Sequence, residues 1–140
     1  ITIPYDQGLI GHSDSDVVLH AVTDAILGAL GAGDVGEYFP PNDPKWLDAD
    51  SRQIVLHAVE LMAARGGRIA HLDVTVICDR PKLSPHRAAM VASLAGMLGL
   101  GSERVSIKAT TTEGLGFTGR GEGIAVQATT TLTLPANSGF

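Results

Sequence analysis

Residues 69–78 read Ile69-Ala70-His71-Leu72-Asp73-Val74-Thr75-Val76-Ile77-Cys78, in which Leu72, Val74, Val76 and Cys78 alternate with Asp73, Thr75 and Ile77. A period of two marks a strand. A loop at 79–84, holding Arg80-Pro81-Lys82, follows, and then the period changes. Met90, Val91, Leu94 and Leu98 fall on one side of a helix that begins near Pro85, with Ser84 as its cap, and that Gly99 and Gly101 end. A further strand covers 104–109. Strand, helix and strand in this order predict a parallel pair with a right-handed crossover. The fold class is therefore α/β in the broad sense (α+β): a single domain with a mixed sheet and helices packed on one face.

Outward from this unit, a last strand covers 124–134. Ile124, Val126, Ala128, Leu132 and Leu134 fall on one side of it, and Ala125, Gln127, Thr129, Thr131 and Thr133 on the other. Arg104, Ser106 and Lys108 repeat the polar theme one strand earlier. One sheet face thus packs on helices; the other is small and semi-polar, either solvated or buried against copies of itself. Upstream, a helix covers about 50–65 with Ile54, Val55, Ala58, Leu61 and Met62 on one face, and Gly66-Gly67 stops it. Residues 31–49, with Pro40-Pro41, form a loop long enough to be functional. A helix runs from near Ser13 to about Leu30. Residues 1–5 are a short edge strand, Asp6-Gln7-Gly8 a turn, and 135–140 a frayed tail.

The chain has 140 residues, enough for one domain. A net charge of −5 excludes non-specific nucleic-acid binding, which needs a basic surface. No apolar run reaches the roughly 18 residues of a membrane span, and the start lacks the basic region of a signal peptide. The single cysteine, Cys78, forms no internal disulfide and reads as core. Glycine clusters at 28–36 and 114–123, which marks two special loops rather than a linker.

Chemistry-bearing residues concentrate in few places. The first helix is apolar nearly all round, yet Asp16, His20 and Asp24 recur along one stripe. A buried imidazole flanked by carboxylates suits a metal ligand; a His–Asp pair satisfying itself in the core is the alternative. Ser13, beside His12, either caps the helix or helps its N-terminus hold an anion. Lys108-Ala109-Thr110-Thr111-Thr112-Glu113 leaves a strand and enters the second glycine loop. Three hydroxyls and a carboxylate there can hold phosphate oxygens and a hard cation, or be ordinary strand threonines. Residues 116–123, Gly-Phe-Thr-Gly-Arg-Gly-Glu-Gly, match neither phosphate-loop motif, though Arg120 among glycines can grip an anion. Lys82 sits at a strand end, a common ligand position. His57, His71 and His86 read as structural or surface.

Together these pieces resemble one family, the 2-C-methyl-D-erythritol 2,4-cyclodiphosphate synthases of the non-mevalonate isoprenoid pathway. The resemblance runs in order through His12-Ser13-Asp14-x-Asp16-x-x-x-His20, Thr23-Asp24-Ala25, Gly33-Asp34-Val35-Gly36, Phe39-Pro40, Asp43-Pro44, Asp73-Val74-Thr75, Arg80-Pro81-Lys82 with Pro85-His86, Lys108 to Glu113, and Leu115 to Gly123. It implies a lyase that cyclises a CDP-linked methylerythritol 2-phosphate and releases CMP. It also implies a homotrimer with active sites between subunits, the semi-polar sheet face packing around the threefold axis. His20 resembles a zinc ligand, and Glu113 the ligand of a Mg²⁺ or Mn²⁺ ion. His12 and Thr111 resemble the transition-state stabilisers, and His12 and Ser13 contact substrate phosphate. Asp34 and Gly36 resemble a ribose-binding pair, with Val35, Phe39, Asp43 and Thr112 also at substrate-binding positions. Residues 78–84, chiefly Pro81, Lys82 and Leu83, resemble the CDP pocket with Thr110 and Thr111. Phe117 and Arg120 resemble residues near a central cavity that holds an isoprenoid diphosphate in some members. Asp24 is expected to support His20. The resemblance places the protein in a bacterial cytoplasm or a plastid-type organelle, with no nucleic acid or membrane as partner.

The resemblance has gaps. The family's Asp-x-His motif, which supplies two further zinc ligands, belongs upstream of Ile1. Ser15 stands where the family usually has Gly, and Pro41 where it usually has Asp. Some members carry a cytidylyltransferase domain ahead of this one, which the present start leaves open. A non-catalytic trimer binding a nucleotide or isoprenoid diphosphate is the alternative if the Asp-x-His segment is truly missing. A metal-dependent pyrophosphatase would need a water-activating base, and none is found beyond the residues the family already uses.

Overall fold

The computed structural model describes residues 3–5, 8–10, 12–33, 50–79, 83–121 and 123–136, with residues 3–16 described by their backbone alone. In chain order the elements are β1 (Ile3–Tyr5), β2 (Gly8–Ile10), α1 (His12–Ala29), α2 (Ser51–Ala64), β3 (Arg68–Ile77), a 3₁₀ turn (Ser84–His86), α3 (Arg87–Leu98), a second 3₁₀ turn (Ser102–Arg104), β4 (Val105–Thr110), the single helical turn α4 (Gly116–Gly119), and β5 (Ala125–Thr133). The predicted elements are present within a residue or two. β2, which pairs antiparallel with β1 from Ile3↔Ile10 to Tyr5↔Gly8, is an addition.

β3 is the centre of a three-stranded sheet ordered β4–β3–β5. β4 runs parallel to it, from Leu72↔Val105 to Ile77↔Thr110, as the strand–helix–strand pattern requires. β5 runs antiparallel, from Ile77↔Ala125 to Arg68↔Thr133, with an irregularity between Ile69 and His71. The alternation along β3 sets the two faces. Leu72, Val74, Val76 and Cys78 are buried, together with Val105 and Ile107 of β4. α1 lies against β5, α3 against β4, and α2 packs on α1. Val22, Ile26 and Leu27 of α1 and Val55 and Ala58 of α2 are wholly buried between them. Burying each such Val, Leu or Ile contributes roughly 1.5–3 kcal/mol.

The ends of the elements have local causes. Asp50 caps α2: its carboxylate accepts from the Gln53 N–H at 2.9 Å, and the Gln53 side chain accepts from the Asp50 N–H. This reciprocal capping box satisfies two of the helix's otherwise unpaired donors. Arg65, just past α2, donates to the Leu30 carbonyl at 2.7 Å and ties the ends of α1 and α2 together. α3 stops at Gly99, whose φ of 70° is left-handed and suits glycine.

Two expectations need correction. Ser84 is not a cap: Leu83 holds that position without a side-chain bond, and Ser84 is the first residue of a 3₁₀ turn that leads into α3. Of the tail expected to fray, residues 137–140 lie outside the described residues, and the Pro135 ring stands beside Gly66. Arg104 lies outside β4, in the turn before it, where its guanidinium donates to the Ala70 carbonyl at 3.0 Å.

Candidate active site

The parallel register brings the carboxyl ends of β3 and β4 to one edge of the sheet, where α/β sheets bind ligands. β5 starts at the same edge. The 110–124 connection and the chain leaving β3 at Cys78 therefore meet there. The last rung is Cys78 N–H to the Thr110 carbonyl, 3.0 Å. Beyond it, a side chain takes over. Asp79 accepts from the Thr112 N–H (Oδ1, 3.0 Å) and from the Gly114 N–H (Oδ2, 2.7 Å). The Glu113 N–H between them reaches Thr111 Oγ1 at 3.2 Å.

Glu113 has φ of 53°, a left-handed backbone that a non-glycine residue adopts only when its surroundings fix it. Thr112 Oγ1 donates to the Leu115 carbonyl and lies 3.1 Å from Thr118 Oγ1, which is buried. Gly119 backs onto Gly114 so closely that a Cβ on Gly119 would overlap the Gly114 backbone. The loop is thereby folded on itself. It leaves Thr110, Thr111, Glu113 and Arg120 exposed, with Leu115 at 73% and Phe117 at 51% exposure. Phe117 rests beside Gly123.

Of the predicted site residues, this edge collects Thr110, Thr111, Thr112, Glu113, Phe117 and Arg120, while Leu83 is buried in the core that ends there. Asp79 was not singled out from the sequence. His12 and Ser13 lie in the first turn of α1, with only their backbone described. Asp34, Val35, Gly36, Phe39, Asp43, Pro81 and Lys82 lie outside the described residues.

His20 stands elsewhere, on α1. The expectation of a buried imidazole is wrong: His20 and Asp24 are exposed, because the buried stripe of α1 is Val22, Thr23, Ile26, Leu27 and Leu30. Its hydrogen bond runs to Ser51 Oγ at the start of α2, 3.2 Å from Nε2. When Ser51 accepts from Nε2–H, the lone pair sits on Nδ1. One imidazole oriented in this way fits a zinc-type ligand. Among the described residues no group of three or more His, Cys, Asp or Glu side chains could hold a metal ion. Glu113, a carboxylate beside threonine hydroxyls, fits a hard cation.

The polar sheet face carries an ion pair, Lys108 Nζ to Asp73 Oδ2 at 2.5 Å. Hydrogen bonding from Lys108 holds the Asp73 carboxyl below its ordinary range, burial opposing it. Gln127, Thr129, Thr131 and Thr133 are exposed on this face, as the alternation predicts. At the opposite edge of the sheet, a groove of about 560 Å³ is lined by Met62, Ile69, Leu98, Arg68 and Arg104 among others, and contains none of the predicted catalytic, substrate-binding or metal-binding residues.

The sequence profile of the YgbB family matches residues 1–133. The chain belongs to the YgbB family. Relatives within and around it agree with the geometry. A bifunctional enzyme IspD/IspF of Paramagnetospirillum magneticum is 59% identical over 135 residues, which are 96% of this chain and 35% of the relative. The chain thus spans about a third of the length of the curated relatives it matches. A solved 2C-methyl-D-erythritol-2,4-cyclodiphosphate synthase superposes with a TM-score of 0.78 at 39% identity, over 90% of this chain and 81% of the other. An IspF of Plasmodium falciparum in complex with CDP gives a TM-score of 0.75 at 32% identity, over 92% and 77%. The small mixed-sheet domain and the family read from the motifs are both borne out. No helix among the described residues is long and apolar enough to cross a membrane.

Proposed function

We propose that this chain is the cyclising domain of a 2-C-methyl-D-erythritol 2,4-cyclodiphosphate synthase. The substrate's own 2-phosphate oxygen attacks the β-phosphorus of its CDP group. A P–O bond forms there, the β-phosphorus to bridging-oxygen bond breaks, and the electron pair leaves on CMP. No covalent enzyme intermediate is needed, so catalysis consists of positioning and of matching charge as it develops. The observation that carries this reading is the folded Thr110–Glu113 loop at the carboxyl edge of a parallel pair in a YgbB-family chain. A CDP-bound relative of the same fold supports it.

In this reading Thr111 and His12 donate to phosphate oxygens as charge builds on them, and Ser13 contacts substrate phosphate. Thr110, Thr111, Pro81, Lys82 and Leu83 hold the CDP group, and Thr112 stands at a further substrate-binding position. Asp34 and Gly36 take the ribose, with Val35, Phe39 and Asp43 beside them. His20, oriented by Ser51, would hold a zinc-type ion, and Glu113 a Mg²⁺ or Mn²⁺ ion; such ions would supply positive charge to offset that of the phosphates.

Active sites lie between the subunits of a homotrimer, whose threefold axis the Gln127–Thr133 face lines. Phe117 and Arg120 stand near its central cavity, where an isoprenoid diphosphate can sit. Residues 1–140 act as one domain and are completed upstream by the Asp-x-His segment.

The test is product analysis on the full-length protein. CMP and a cyclic diphosphate are expected, and a linear, hydrolysed product would refute the reading. CDP binding without turnover would make the protein a binder. For assembly, light scattering should find a trimer at micromolar concentration, and a stable monomer would contradict it.

A further inference from the structure

We propose that Asp79 is a positioning residue of this site: its carboxylate clamps the loop backbone on both sides of Glu113, and so fixes where the Glu113 carboxylate and the Thr111 hydroxyl are presented. This rests on the synthase reading above and adds to it a residue with a distinct task.

Three consecutive amides cross the strip. Those of Thr112 and Gly114 end on the two oxygens of Asp79, at 3.0 and 2.7 Å. The middle one, of Glu113, ends on Thr111 Oγ1 at 3.2 Å. The clamp thus also holds the hydroxyl that the reading assigns to the reacting phosphate. Bonds to a charged acceptor are shorter and stronger than neutral ones. They matter here because Glu113, at φ 53°, costs energy unless over-determined, and Gly114 and Gly116, at φ 82° and 72°, would regain backbone freedom on release. The Thr112–Leu115 bond and the packing of Gly119 on Gly114 fold the loop on itself, and among the described residues only Asp79 joins the Thr112 and Gly114 amides to the end of β3. Asp79 itself is anchored, because it follows Cys78, whose amide makes the last rung to β4. The carboxylate transmits the rigidity of the sheet into a loop that the ladder no longer reaches.

Both oxygens are required. Asparagine in the same place keeps one acceptor and turns an NH₂ group toward the other amide. Asp79→Asn should therefore loosen the clamp without changing side-chain volume.

The experiment compares wild type, Asp79→Asn and Asp79→Ala in the full-length protein. Loss of an orienting partner behind a metal ligand typically costs about 10–100-fold in metal affinity or activity. Asp79→Asn should lower kcat about tenfold or more and raise the Mn²⁺ concentration for half-maximal rate by a similar factor. CDP affinity measured without divalent cation should stay within about threefold, since the clamp serves the cation and the reacting phosphate. In a Glu113→Ala background the same change should shift the Mn²⁺ concentration for half-maximal rate by less than about twofold, because that part of its effect passes through the Glu113 carboxylate, while the part that passes through Thr111 remains. Amide exchange of Thr112 and Gly114 should quicken in Asp79→Asn while β3 amides keep their protection. Wild-type kcat and Mn²⁺ dependence in Asp79→Asn, or an equal shift in Mn²⁺ dependence with and without Glu113, would overturn the proposal. If wild type itself does not cyclise, the synthase reading fails, and amide exchange at Thr112 and Gly114 still decides whether Asp79 holds the loop.

Discussion

His20 and Glu113, the two side chains assigned to cations, are built in opposite ways. His20 rides on an 18-residue helix whose position is secured by the core, and one hydrogen bond, to Ser51, orients its ring. Glu113 rides on irregular backbone in a left-handed conformation, and is held by a mesh of contacts from Asp79, Thr111 and Gly119. A helix supplies stiffness and leaves only orientation to be added. A loop must have its stiffness added group by group. The loop should therefore be the more sensitive region to mutations that touch no ligand.

The largest effect is expected on the loop itself. Thr111→Ala removes a hydroxyl assigned to developing charge, and loss of one such hydrogen bond typically costs about 10²–10³ in rate. Steady-state kinetics should show the loss in kcat, with CDP affinity moved far less. Gly119→Ala comes next. Its methyl group meets the Gly114 backbone, which yields only if the loop opens, and such overpacking costs about 1–3 kcal/mol. Activity should fall while far-UV circular dichroism stays unchanged. Ser51→Ala, behind His20, should weaken zinc binding by the full-length protein about tenfold and leave the fold in place. A larger effect for Ser51→Ala than for Gly119→Ala would reverse the comparison.

The smallest effect is expected at the base of the loop, in the Asp73–Lys108 pair. Hydrogen bonding from Lys108 holds the folded-state Asp73 pKa below its unfolded value, so the unfolded chain binds the proton more tightly. The pair's stabilisation is complete above the ordinary Asp range, around pH 4, and fades as pH falls through the lowered folded value. Both groups are partly exposed in the single chain, so Asp73→Asn should cost at most about 1 kcal/mol near pH 7, and progressively less as pH falls below the ordinary Asp range. Denaturant unfolding across this pH range measures it.

The fold was legible where its causes are local. Alternation over 69–78, a helical period after Pro85 and the left-handed stop at Gly99 act over a few residues, and the parallel pair followed from their order. The clusters at His20 and at Thr110–Glu113 were legible as groups of unusual residues. Their supports were not. Asp79 meets its amide partners 33 and 35 residues away, and Ser51 meets His20 31 residues away, so neither leaves a period in the sequence. The Asp50–Gln53 capping box was a local signal and was overlooked. The burial of His20 was misjudged because α1 is apolar beyond its packed stripe: Val17 is exposed, and Val18 and Leu19 are only half-buried.

The most direct test of the account is the fate of solvent oxygen. Full-length protein with divalent cation, given the CDP-linked methylerythritol 2-phosphate in H₂¹⁸O, should release CMP and a cyclic diphosphate, both free of the label, because the attacking oxygen belongs to the substrate. A linear product carrying ¹⁸O would mean that water attacks, and would contradict the cyclisation assigned to this site.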